Sequence, residues 1–107
     1  MKRIFFSLSV TCVLVSGTAT MAAETEEQRA ARCAAQAAVV TKAVELRLED
    51  KREKRARKLV LKDDEIAGTA AESHVDLLVN WVYQLPEEQL GDQTAVAFEM
   101  ACSQFSG

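Results

Sequence analysis

The sequence has few of the residues that interrupt helices, and it lacks the pattern of a β-strand. One proline and four glycines occur in 107 residues. No segment alternates apolar and polar residues as a half-buried strand does. These absences argue against a sheet-based fold, and the chain is predicted to be all-α.

Lysine and arginine are absent from the chain after residue 62. Residues 24–62 contain eleven Lys or Arg and seven acids, whereas residues 63–107 contain nine acids and no Lys or Arg. The basic residues are densest in residues 49–62, "EDKREKRARKLVLK". We expect the acidic half of the same chain to neutralise this excess. An anionic membrane or envelope surface is the alternative partner.

Residues 1–23, "MKRIFFSLSVTCVLVSGTATMAA", have the three parts of a secretory signal peptide. Two basic residues precede an apolar run, and small residues follow it, which predicts export with cleavage after Ala22 or Ala23. The run is shorter than the roughly 20 residues of a membrane-spanning helix. The expected location is periplasmic or secreted, and residues 24–107 are expected to form a single helical domain. Export argues against nucleic acid as a partner, as does the lack of aromatic residues among the basic ones.

Removal of the signal peptide would leave two cysteines, Cys33 and Cys102. An even pair in an oxidising compartment predicts one disulfide. The sequence contains no C-x-x-C motif, so we expect this bond to be structural and not a redox centre.

Helix 1 is predicted to start at a capping box formed by Thr25 and Gln28. Arg47 lies beside the apolar stripe of this helix, where it must extend towards solvent or pair with an acid. A turn near Asp50 then leads into a short basic helix over residues 51–61, although one unbroken helix is the alternative. The apolar stripe of helix 1 recurs at helical spacing: Cys33, Ala37, Val40, Val44 and Leu48.

The third and fourth helices have clearer boundaries. Thr69 and Glu72 form a second capping-box pattern, and Pro86 is expected to end helix 3 near Leu85. Asp92 is expected to cap helix 4. The apolar face of helix 4 is predicted to be Ala95, Phe98, Cys102 and Phe105. Both cysteines thus lie on core stripes, which predicts a small bundle of about four helices with one disulfide joining the first and last.

Helix 3 is predicted to be apolar over more than one face, so it is either central in the bundle or presents a second apolar surface to a partner. The first face consists of Ala71, Val75, Leu78, Val79, Val82 and Leu85, and the second of Ala70, His74, Leu77 and Trp81.

The sequence shows no constellation typical of catalysis or metal binding. Ser73, His74 and Asp76 cannot converge on one face of a helix. The acids at residues 63–65 lack the alternating ligands of a calcium loop. We therefore predict no enzyme activity, no catalytic or metal-binding residues and no cofactor.

The segment from Cys33 to Cys102 resembles a loose group of small exported proteobacterial helical proteins. The resemblance lies in a cysteine in the first helix, an arginine (Arg47) followed by a turn, "VDLLVNWVY" before Pro86, and a cysteine in the last helix. It implies an envelope location and no particular activity. The chain departs from the pattern at Glu49 and Asp50, where small turn residues are usual.

The predicted function is that of an exported helical interaction protein that binds a protein partner. The alternatives are an immunity-type inhibitor of a toxic envelope enzyme and an acid- or envelope-stress chaperone. The predicted interaction surface combines apolar and basic side chains: Leu77, Trp81, Arg52, Arg55 and Lys58.

Overall fold

Four α-helices make up most of the protein, for which we use a computed structural model that describes residues 24–104. They are α1 (Glu26–Leu48), α2 (Glu53–Leu61), α3 (Val75–Gln84) and α4 (Asp92–Gln104), with 3₁₀ turns at Ala70–His74 and Glu87–Gln89. No strand occurs within this range, and the predicted all-α bundle is confirmed. The predicted signal peptide and Phe105 lie outside the described residues.

Helix α1 is the element against which all the others pack. Its predicted capping box is confirmed, because the Thr25 hydroxyl accepts a hydrogen bond from the Gln28 amide and the Gln28 side chain accepts one from the Thr25 amide, both at 3.0 Å. The predicted stripe is buried from Cys33 to Val44. Leu48 was expected on that stripe but is 59% exposed, because it is the last residue of the helix and borders an open groove beside the start of α4.

The corner between α1 and α2 is a Schellman motif, so the alternative of one unbroken helix is wrong. The Lys51 amide donates to the Leu46 carbonyl and the Asp50 amide to the Arg47 carbonyl, both at 3.0 Å. This pair of bonds satisfies carbonyls that a helix end leaves free. Asp50 has φ = 63°, a conformation that glycine usually occupies. Helix α2 then begins at Glu53, two residues later than predicted.

The second predicted capping box does not form. The Thr69 hydroxyl donates to the Ile66 carbonyl at 2.6 Å, and the Glu72 carboxylate accepts from the Gly68 amide at 2.6 Å. Both side chains therefore stabilise the preceding turn, in which Gly68 has a positive φ of 76°. As a result, a 3₁₀ turn covers Ala70–His74, and α3 begins only at Val75.

Helix α3 ends as predicted, with Leu85 extended before Pro86. Asp92 was expected to cap α4 but is its first helical residue. The side-chain hydrogen bonds at this end of the helix are made by Thr94. The Thr94 hydroxyl accepts from the Gly91 amide at 3.1 Å and donates to the Gln89 carbonyl at 2.6 Å.

The core lies where the inner faces of α1, α2 and α3 meet. It is built from small and branched side chains that are at least 94% buried: Val39, Val40, Ala43, Val44, Leu46, Ala56, Val60, Ile66, Ala71, Val75, Leu78, Val79 and Val82. Helix α4 is antiparallel to α1 and is joined to it by the predicted disulfide between Cys33 and Cys102, whose Cα atoms are 5.7 Å apart.

Candidate protein-binding face

Helix α3 is buried on its inner side and exposes two large apolar side chains on its outer side. Val75, Val79 and Val82 have no exposed area, whereas Leu77 is 70% and Trp81 is 38% exposed. Residues four apart on a helix lie on one side of it, so Leu77 and Trp81 form one outer stripe. We call this stripe the aromatic face. The helix is thus a central packing element and also leaves an apolar surface uncovered.

The Trp81 ring lies over a pocket between the end of α3 and the start of α4. Its centroid is 5.8 Å from that of Phe98, at an interplanar angle of 49°, a favourable aromatic arrangement. The pocket has a volume of about 320 Å³ and is called the Trp81 pocket below. Its walls include Trp81, Leu85, Glu88, Gln89, Gln93 and Ala97.

The walls of the Trp81 pocket are fixed by hydrogen bonds. Thr94, which is 5% exposed, joins the segment from Gln89 to Gly91 to the first turn of α4. The 3₁₀ turn that carries Glu88 is closed by bonds from the Gln89 amide to the Pro86 carbonyl, at 2.9 Å, and from the Leu90 amide to the Glu87 carbonyl, at 3.0 Å. The pocket is therefore formed before any partner arrives.

Arg47 fixes the end of α3 from the neighbouring helix. Its Nη1 donates to the carbonyls of Val82 and Leu85, both at 2.6 Å, and its guanidinium carbon is 5.9 Å from the centre of the Tyr83 ring. The expectation that Arg47 extends to solvent or pairs with an acid is wrong. It binds backbone carbonyls instead, because the last turn of a helix leaves its carbonyls without partners and attracts positive charge.

Tyr83 connects the same end of α3 to the corner after α1. Its hydroxyl donates to the Lys51 carbonyl at 2.6 Å. Burial raises the pKa of Tyr83, and the Arg47 guanidinium only partly opposes this. The phenol thus remains a neutral donor at physiological pH, which maintains the bond.

The basic residues of and around α2 form a separate exposed surface, the cationic face. It consists of Lys51, Arg52, Lys54, Arg55, Lys58 and Lys62. Within residues 24–104, the ion pairs are Arg32–Glu24, Lys42–Asp63 and Arg57–Glu53. The only pair that joins the basic and acidic halves is Lys42–Asp63, at 3.9 Å, and it does not include α2. The expected neutralisation of the basic helix by the acidic half is therefore not made through ion pairs in this part of the chain.

The structure places the predicted interaction residues on two different faces. Glu53 marks the side of α2 that faces α3, since it accepts a hydrogen bond from the Asn80 side chain at 2.9 Å. At 100° per residue, Arg55 points about 160° away from Glu53 and Lys58 about 140° away. These two cations thus point away from α3, and Arg52 precedes the helix as its extended N-cap residue. Leu77 and Trp81 remain together on the aromatic face.

The lining of the Trp81 pocket includes one acid, whereas Arg47 is bound to the backbone carbonyl of Leu85, which is part of the same lining. Glu88 lines the Trp81 pocket and makes no ion pair with any residue of the described range. Glu88 has no signature of its own in the sequence, although the absence of Lys and Arg after residue 62 indicates that a surface built there carries negative charge.

The remaining groove and acidic turn of the described residues do not combine the groups of a catalytic or metal site. A second groove of about 370 Å³ lies between α1 and the first 3₁₀ turn, and it is lined by alanines, His74 and the nearly buried Gln36. Asp63 forms a turn in which it accepts from the Glu65 amide at 2.9 Å. Across residues 24–104, no three His, Cys, Asp or Glu side chains are arranged to hold a metal ion.

No helix in the described part of the chain is both long and apolar enough to span a membrane. Comparisons of the chain with protein-family models, curated proteins and solved structures found no match.

Proposed function

We propose that this protein is an exported interaction protein, acting in the periplasm or outside the cell, that binds a protein partner through its aromatic face and catalyses no reaction. The observation that carries the proposal is the 70% exposure of Leu77 beside the partly exposed Trp81, on a helix whose other apolar side chains are buried. Exposed leucine and tryptophan on one stripe are typical of a binding surface, and tryptophan is enriched among residues that dominate binding energy.

The rigidity of this surface supports the proposal. Arg47 holds the end of α3 by two hydrogen bonds, and Phe98 packs against the Trp81 ring. A surface that is already ordered loses little conformational entropy on binding, so more of the contact energy contributes to affinity.

An immunity-type inhibitor of a toxic envelope enzyme is the second candidate. It is favoured by the acidic composition of the segment that carries the aromatic face, since residues 63–107 contain nine acids and no Lys or Arg. Such a surface complements a basic enzyme and accelerates association with it. The acid-stress chaperone has less support, because the buried polar side chains of the described residues are Gln36 and Thr94, and neither gains a proton at low pH.

Affinity capture with matched variants tests the proposal. The oxidised wild-type protein and its Leu77→Ser and Trp81→Ser variants are immobilised and exposed to periplasmic extract at low and high salt. We expect the wild type to retain a specific protein and both variants to lose it. Leu48→Ser is the control, because Leu48 is 59% exposed at the end of α1 and lines a different groove.

Equal capture by the wild type and by both aromatic-face variants would contradict the proposal. If Arg55→Gln and Lys58→Gln abolish binding to anionic vesicles while the aromatic-face variants change nothing, the cationic face and an envelope surface become the better explanation. Circular dichroism of each variant establishes that it is folded before capture is compared.

A further inference from the structure

The Trp81 pocket has the composition of a site for a cationic side chain, an inference that rests on the proposed function and adds the chemistry of the partner. Its lining includes Trp81 and the exposed acid Glu88, while Leu85 and Ala97 add apolar residues. Gln89 and Gln93 are further polar residues of the lining. The volume of about 320 Å³ admits one long side chain.

An arginine side chain matches each of these walls. Its guanidinium is planar, so it stacks on an indole ring by cation–π attraction and presents a fork of N–H donors to a carboxylate. Its methylene stem packs on apolar surface while the charged end remains near water. Lysine carries the same charge but has no planar group to stack, so it fits less well.

The charges near the Trp81 pocket also favour a positively charged side chain as its occupant. Glu88 has no cationic partner among residues 24–104, and Glu87 and Asp92 lie close to it in the chain. Of the chain's own cations, Arg55 and Lys58 of α2 point away from α3. Arg47 of α1 reaches the end of α3, but its charge is already engaged by the Val82 and Leu85 carbonyls. A negative surface beside an aromatic ring attracts a positively charged segment and repels an acidic one.

We propose that the Trp81 pocket is the docking site for an arginine side chain in a basic, partly apolar segment of the partner protein. Leu77 lies one helical turn from Trp81 and contacts the apolar residues of that segment. Trp81 provides the stacking surface, and Glu88 provides the counter-charge.

Fluorescence titration tests this assignment, because Trp81 is the only tryptophan of the chain. The probes are three tryptophan-free peptides, acetyl-LRALR-amide, acetyl-LKALK-amide and acetyl-LEALE-amide. We expect the arginine peptide to shift the Trp81 emission and to bind at least about tenfold more tightly than the glutamate peptide, with the lysine peptide between them. Binding of the arginine peptide should weaken as salt increases.

Two adjacent glutamates give a matched pair of variants. Both are exposed residues of the same 3₁₀ turn, but Glu88 lines the pocket and Glu87 does not. We expect Glu88→Gln to weaken binding of the arginine peptide by about tenfold, because a hydrogen-bonded charge pair is lost. Glu87→Gln should weaken it by less than about twofold, because an exposed charge outside the pocket contributes little.

Several results would overturn the assignment. Equal weakening by Glu87→Gln and Glu88→Gln would show diffuse charge attraction without a pocket, and an unchanged Trp81 emission with the arginine peptide would show that the pocket takes no such group. If the emission instead depends on protein concentration without peptide, and Arg55→Gln with Lys58→Gln removes that dependence, the occupant is a second copy of this chain.

The capture experiment separates failure of the pocket from failure of the proposed function. Capture that is lost with Leu77→Ser but unchanged with Glu88→Gln would retain the aromatic face as the binding surface and overturn the arginine site. Capture that is unchanged with both variants would overturn the two proposals together.

Discussion

Arg47 shows how one side chain can join two elements that are distant in sequence. Its two hydrogen bonds connect α1 to carbonyls at the end of α3, 35 and 38 residues later. The sequence placed this arginine beside a core stripe, where a charge requires a partner, but did not identify the partner. Backbone carbonyls have no signature in the sequence, so only the packing of α1 against α3 revealed it.

Replacing Arg47 with methionine should lower the free energy of unfolding by about 2–4 kcal/mol, because two charge-assisted hydrogen bonds to the Val82 and Leu85 carbonyls are lost. Urea denaturation followed by circular dichroism measures the change. The control is Arg55→Met, which removes an exposed arginine and should change stability by less than about 0.5 kcal/mol. Equal effects of the two variants would contradict the role assigned to Arg47.

Glu53 connects α2 to α3 through a charge that depends on pH. The hydrogen bond from Arg57, followed by that from Asn80, lowers the pKa of Glu53 below its ordinary value of 4.5. Because the folded state holds the carboxylate in its charged form, this contribution to stability is present above the unfolded pKa. It is lost as pH falls through the lower folded pKa.

We expect the urea midpoint of the wild type to decrease as pH falls from about 5 to about 3, with part of the decrease due to Glu53. Glu53→Gln should be less stable at neutral pH and should lose less stability over that range. Glu49→Gln, which removes an exposed carboxylate that has no hydrogen-bond partner in the described range, should follow the wild-type profile. A Glu53→Gln profile parallel to that of the wild type would exclude the proposed linkage.

At the scale of elements, local signals predicted helices well but predicted their ends less well. The capping box at Thr25 formed, whereas the same pattern at Thr69 did not. In the second case the Thr69 hydroxyl and the Glu72 carboxylate bind the preceding turn. Thr and Glu side chains can bond several nearby backbone groups, so a capping pattern in the sequence does not establish which of these bonds forms.

The Schellman corner provides a test at this scale. Asp50→Gly should stabilise the protein by about 0.5–1 kcal/mol, because Asp50 is held at φ = 63°, a conformation that costs other residues more than glycine. Glu49→Gly should destabilise it by about the same amount. Glu49 has an ordinary φ of −85°, so glycine relieves no strain there and only increases the conformational entropy of the unfolded chain. Thermal unfolding of both variants measures the difference, and the same sign for both would contradict the assignment.

At the scale of the whole molecule, the disulfide joins the first and last helices and closes a loop with a sequence separation of 69 residues. Helix α4 has few buried side chains of its own, since Thr94 is its one fully buried residue among those described. The bond therefore holds a helix that packing alone covers only partly, and that helix contributes one wall of the Trp81 pocket.

Reduction of the disulfide should lower the free energy of unfolding by about 4 kcal/mol, the value expected for a loop of this length in the chain-entropy model. Urea denaturation with and without dithiothreitol measures this change. The double variant Cys33→Ala with Cys102→Ala should show the lower stability under both conditions. A wild-type protein whose midpoint is unaffected by complete reduction would show that the bond contributes little.

The sequence by itself determined the all-α class and the disulfide pairing, because helical periodicity and cysteine number are local or countable properties. It favoured a break between the first two helices, but the bonds of the Schellman corner decided it. Only the tertiary structure decided which charged groups meet. The basic helix and the acidic half have opposite charges, yet the core packing of Ala56 and Val60 turns the exposed cations of α2 outwards. The packing of the helices also places Arg55 on a different face from Trp81, and it places Glu88 in the same pocket as Trp81. Contacts between residues on different elements depend on this packing.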